Sequence, residues 1–126
     1  MASSQMKIPL SALFGASILP VKTANATPAN ALNGGSAVFH GIEIDATANT
    51  GEDVYVRLAN TSSFLVGTTK SNMVIKGKKG VKTTVMCKRG FTFSTDISLI
   101  CVKEAGGGTG AVTNPSGTVN VRLLVA

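Results

Sequence analysis

The sequence has no tryptophan, one tyrosine and one histidine, and only 14% of its residues are charged. With a single histidine, His40, and two cysteines, Cys87 and Cys101, outside any Cys-x-x-Cys spacing, a four-ligand zinc site cannot be assembled from cysteine and histidine. No Gly-x-Ser-x-Gly elbow accompanies His40, so nucleophilic catalysis has no local signature. Neither glycine-rich stretch, Gly77–Gly80 or Gly106–Gly110, ends in the Gly-Lys-Ser/Thr of a phosphate-binding loop. The acidic residues Glu43, Asp45, Glu52 and Asp53 flank one loop without the dense Asp-x-Asp order of a calcium loop. No catalytic, cofactor or metal residues are therefore assigned, and the chain reads as a non-enzyme.

Acidic residues are missing altogether between Val54 and Thr95, a window that holds Arg57, Lys70, Lys76, Lys78, Lys79, Lys82, Lys88 and Arg89. The net charge is +6. Such a patch calls for an acidic partner surface or nucleic acid. Phe64 is the only aromatic residue between Arg57 and Arg89, and binders of single strands interleave aromatics for stacking, so nucleic acid is disfavoured. The partner-binding face is assigned to Lys76, Lys78, Lys79, Lys82, Lys88 and Arg89. Low charge suits a chain whose surface is partly covered in an assembly.

What is plentiful is glycine, 14 residues of it, together with valine and threonine. That mix favours short strands and tight turns over a helical bundle. The stretch Gly90–Val102 organises the rest: Phe91 and Phe93 share a face, Ser94-Thr95-Asp96 breaks the run, and Ile97, Leu99 and Cys101 resume a period of two. It is expected to form a central strand pair. Alternation also predicts strands over Ala37–Asp45, Asp53–Asn60, Met73–Lys76, Val81–Lys88 and Gly117–Val125. Lys76–Gly80 reads as a turn, with Gly77 and Gly80 free to take positive φ. Glu104–Ser116, rich in glycine, reads as a flexible excursion. Cys87 and Cys101 fall on the apolar parity of their strands, as buried thiols or, if their strands are neighbours, as a disulfide. The expected fold is all-β: an antiparallel β-sandwich or jelly roll of about seven or eight strands over 37–126, preceded by an extended N-terminal arm over 1–36.

That arm is low in charge. Lys7, the apolar run Ile8–Val21 and Ala24-Asn25-Ala26 resemble a secretory signal, but Pro9 and Pro20 interrupt the run and Lys22 follows it. The run is too short and broken to span a membrane. A retained arm that packs on another subunit through Ile8, Leu10, Leu13, Phe14, Ile18 and Leu19 is expected; a cleaved signal would make the protein secreted.

Read together, DVYVRLANTSS, VGTTKSNMVIKGKKG, GFTFSTDISLICV and GTVNVRLLVA resemble small β-sandwich structural proteins of tailed bacteriophages. The positions that carry the resemblance are Tyr55 to Asn60, Val66 to Thr68, Gly90 to Ile97 and Val119 to Val121. It covers roughly Ala37–Ala126. It implies a virion protein without catalysis, most similar to a capsid decoration (cement) protein that binds the major capsid protein or another virion protein, often as a homo-oligomer and typically a trimer. A tail or head–tail joining protein is the close alternative. A secreted β-sandwich binding module is the alternative of another class.

Overall fold

A computed structural model describes residues 17–126 as seven strands in two antiparallel sheets. The strands are β1 (Ser17–Val21), β2 (Ala37–Ala48), β3 (Val54–Asn60), β4 (Met73–Gly77), β5 (Lys82–Phe93), β6 (Ile97–Val102) and β7 (Thr118–Val125). One sheet runs β1-β7-β2-β5 and the other β4-β3-β6. No helix occurs among the described residues. The architecture is all-β and sandwich-like.

Alternation drives the packing. Ile42 and Ile44 of β2, Val54, Val56 and Leu58 of β3, Leu99 and Cys101 of β6, and Val119, Val121, Leu123 and Val125 of β7 all point between the sheets and are buried. Each large aliphatic side chain buried in this way contributes about 1.5–3 kcal/mol. Phe39 and Phe93 pack edge to face within the same core, with centroids 6.4 Å apart.

Four features differ from the expectations. Gly90–Val102 is not a strand pair, because its halves lie in different sheets: Phe91–Phe93 ends β5 against β2, and Ile97–Val102 pairs with β3. The corner between them is held by polar contacts. Asn60 Oδ1 accepts from Thr95 N at 2.7 Å, and buried Asp96 accepts from Ile97 N at 2.8 Å and from Asn33 N at 3.0 Å.

The boundary at Ser36 also moves. Ser17–Val21 pairs with β7 in full register, and Asn25–Leu32 runs along the outer edge of β6. Ala29 and Leu99 exchange backbone hydrogen bonds at 2.9 and 3.0 Å. Residues 17–36 thus belong to the β domain, because they satisfy edges that would otherwise be open.

The glycine-rich excursion is pinned rather than loose. Arg57, on the outward parity of β3, is buried and donates to the carbonyls of Glu104 at 2.9 Å and Gly108 at 3.2 Å. The Glu104 carboxylate accepts from Thr113 N at 2.8 Å, and Asn49 Oδ1 accepts from Gly117 N at 2.7 Å. With Phe64, Ile100 and Val102, this cover builds a second small core on the outer face of the three-stranded sheet.

In the β4–β5 turn, only Gly80 has positive φ, at 75°. Gly77 ends β4, where a side chain would collide with Ile44 and Val54.

Candidate functional site: the rim formed by β4, β5 and their turn

Among the described residues, β5 is a border strand of the larger sheet and pairs only with β2. β4 lies beneath β2, as the approach of Gly77 to Ile44 shows. The four-stranded sheet therefore overhangs the three-stranded one. Val85 pairs with the inward Ile42 and Phe91 with the inward Phe39, yet each is 39% exposed because no described strand faces them. Val81 and, on the opposite face, Met86 are also exposed.

The ladder is interrupted once. Phe39 pairs with Phe91 and Gly41 with Met86, so His40 alone stands against Cys87–Gly90. Gly90 closes this bulge at φ 78°, and a side chain there would meet Val38 and His40. The bulge thrusts Lys88 and Arg89 outward, and both are exposed. His40 packs beside the bulge, close to Gly90.

The basic residues predicted from sequence lie along this rim, but folding brings acids among them. Lys76 Nζ is 3.3 Å from Asp53, and Asp53 also accepts from Lys79 N at 3.0 Å. Those contacts, the Lys79 amide first, hold the Asp53 carboxyl below its usual range. Lys82 stands opposite Asp45, whose carboxyl is lowered chiefly by the Thr47 hydroxyl at 2.6 Å. Lys78, Lys79, Lys88 and Arg89 form no side-chain ion pair among the described residues. The acid-free window of the sequence thus folds into a surface on which acids and cations are mixed.

The remaining candidates are dispersed. Glu43 lies 3.8 Å from Arg122, and Glu52 accepts from Ser116 N at 3.1 Å, so the four acids of the first loop serve separate partners. Phe64 is buried, so its ring offers no stacking surface, and its amide N donates to Asn30 Oδ1 at 2.8 Å. Cys101 is buried and Cys87 half-buried, both are free, and burial pushes the Cys101 thiol up to about 12. Of the arm residues, Ile18 and Leu19 lie in β1, Ile18 exposed and Leu19 against the core; Ile8, Leu10, Leu13 and Phe14 lie outside the described residues. A cavity of about 410 Å³ on the outer face of the larger sheet is lined by Lys22, Glu43, Asp45, Lys82 and Arg122 among others.

Sequence reasoning missed Val85 and Phe91 as surface residues, whereas the exposed Met86 stands on the outward parity it shares with Lys82 and Lys88. The alternation of Val85 and Phe91 signals a buried face, and only strand order shows that β5 has no partner among the described residues on its far side. No protein-family model matches the chain, and no curated protein matches it.

Proposed function

We propose that this chain is a virion structural protein of a tailed bacteriophage, of the capsid decoration type, that docks through the β4–β5 rim on the major capsid protein or another virion protein. The observation that carries the reading is the joining, on one free sheet edge, of exposed apolar residues (Val81, Val85, Phe91) with the unpaired cations Lys78, Lys79, Lys88 and Arg89. Apolar contact supplies adhesion and the cations steer an acidic partner into register. The resemblance of Tyr55–Asn60 and Gly90–Ile97 to phage β-sandwich proteins supplies the class of particle. A tail or head–tail joining position fits the same surface.

Secretion as a binding module fits less well. Cleavage after Ala26 would remove β1, which completes the pairing of β7.

The test is sedimentation of the purified full chain with isolated heads, and separately tails, of a phage that encodes it. Saturable binding to heads, insensitive to nuclease, is expected. Binding to tails alone moves the protein to the joining class. Binding to neither, with salt-sensitive capture of random oligonucleotides, overturns the reading.

A further inference from the structure

We propose that the outer face of the four-stranded sheet is a two-fold interface, on which a second copy of this chain packs face to face. This surface is distinct from the β4–β5 rim, and the inference does not rest on the virion reading.

The face is built from the parity that turns away from the core, and strand pairing sets its residues in rows across β1, β7, β2 and β5. One row is apolar: Ile18, Leu124, Gly41 and Met86 stand side by side. Ile18 is 45% and Met86 58% exposed, and no described strand lies over them. The next row carries Arg122 beside Glu43, and the one after it Asn120 beside Asp45. Lys22, which follows β1, and Lys82 stand at the corners of that charged end.

The pattern is its own complement. A two-fold axis parallel to the strands, between β7 and β2, lays β7 of one copy over β2 of the other and β1 over β5. Each row stays level with itself, so each β7–β2 pair meets its own reversed image. Within the chain, Arg122 and Glu43 are a loose 3.8 Å apart, and the Arg122 side chain is 62% exposed. Across the axis Arg122 faces Glu43 of the second copy. The four groups then form a square of alternating sign, and each guanidinium has two carboxylates. In the next row Asn120 faces Asp45. Asn120 Oδ1 already accepts from Thr23 N at 2.9 Å, which leaves its amide nitrogen to donate to that carboxylate. In the apolar row Leu124 comes over Gly41, where the face has a notch of about 140 Å³, and Ile18 comes over Met86. Met86 leans across Gly41 and is flexible enough to swing toward Ile18.

One juxtaposition is unfavourable, that of Lys22 with Lys82. Twisted sheets stack about 30° off parallel, which displaces the corners most and the central β7–β2 pairs least. Lys82 also keeps Asp45 beside it in its own chain. The area suffices. Four strands by the eight residues of β7 measure about 19 by 26 Å, so two copies cover about 1,000 Å², the lower bound of a specific interface. A strongly acidic or basic partner would be a poorer occupant, because the face sets Lys22, Lys82 and Arg122 among Glu43 and Asp45.

Light scattering over a concentration series of the full chain tests this. The molar mass should rise toward twice that of one chain. Arg122→Glu and Glu43→Arg each set like charges across the axis, and each should weaken self-association about tenfold or more. Their circular dichroism spectra should match the parent, because both side chains reach solvent. Mixing the two variants should restore a heterodimer, since the two glutamates of one copy then face the two arginines of the other. A folding defect would not be repaired by mixing. Ile18→Asp, on the border strand and outside both charge pairs, should also dissociate the dimer and serves if a reversal unfolds. The mass of one chain up to about 1 mM protein overturns the proposal. So does an oligomer that both reversals leave intact, or a mixture that associates no better than its components. A monomer whose reversals instead alter sedimentation with phage heads also overturns it, because the face then belongs to a virion partner.

Discussion

Arg57 shows how a single residue can change meaning between sequence and structure. Tyr55, Arg57 and Ala59 alternate with the core residues of β3, which reads as a wet face. Parity fixes which side a residue takes, not what covers that side. Here the loop from Glu104 to Ser116 covers it, and Arg57 spends its guanidinium on backbone carbonyls. Arg57→Ala would strand those carbonyls and should cost about 1.5–3 kcal/mol in denaturant unfolding, the range for hydrogen bonds to a charged group. Amide protection at Ser71, which donates to Gly107 O at 3.1 Å, should fall with it while β2 keeps its protection. Unchanged stability would mean that the guanidinium is not the anchor. The cysteines were more legible: both stand on apolar parity, and both are free thiols facing the core.

At the scale of elements, the strands with clean alternation and long-range partners were readable. β2, β3 and β7 begin and end near their expected bounds. β1 was hidden because Ile18, Leu19 and Val21 sit in a run that also contains Pro20 and resembles a signal segment. The run Glu104–Ser116 was misread for the opposite reason. Its glycines remove secondary structure, but side chains elsewhere tie it down. Two of those ties are carboxylates: Glu104, lowered chiefly by the Thr113 hydroxyl at 2.6 Å, and Glu52, lowered chiefly by the Ser116 amide. A carboxyl held below its unfolded value stabilises the fold fully above that value, about 4.3 for glutamate, and loses its contribution as pH falls through the lower folded value. Protection factors at the Thr113 and Ser116 amides should therefore be flat above about pH 5 and drop below about pH 4. β2 and β7 should be unaffected over the same range. Protection at Thr113 that persists at low pH would contradict the Glu104 tie.

At the scale of the whole molecule, what decides function is the order of the strands, and local alternation does not encode it. β5 looks like any other half-buried strand until it is placed at the border of a sheet that overhangs its partner. The same placement re-sorts the basic residues. Lys76 and Lys82 lose most of their value for steering because Asp53 and Asp45 stand beside them. Reversing Lys82 would also set a glutamate opposite Asp45 and disturb the β2–β5 ladder. The informative charge reversal is therefore Lys78→Glu, Lys79→Glu and Lys88→Glu together. These side chains are exposed and form no ion pair among the described residues, so the circular dichroism spectrum and unfolding midpoint should stay close to those of the parent. Steering by unpaired surface charge acts on encounter, so the association rate with phage heads should fall about tenfold or more at low salt, with dissociation little changed. Screening over roughly 8–10 Å at ordinary ionic strength should bring the two proteins' rates together as salt is added. Stopped-flow or surface-based kinetics across a salt series reads this directly. If the reversal leaves the low-salt association rate intact, the cations are a solubilising border, and docking must rest on the apolar overhang of β5 alone.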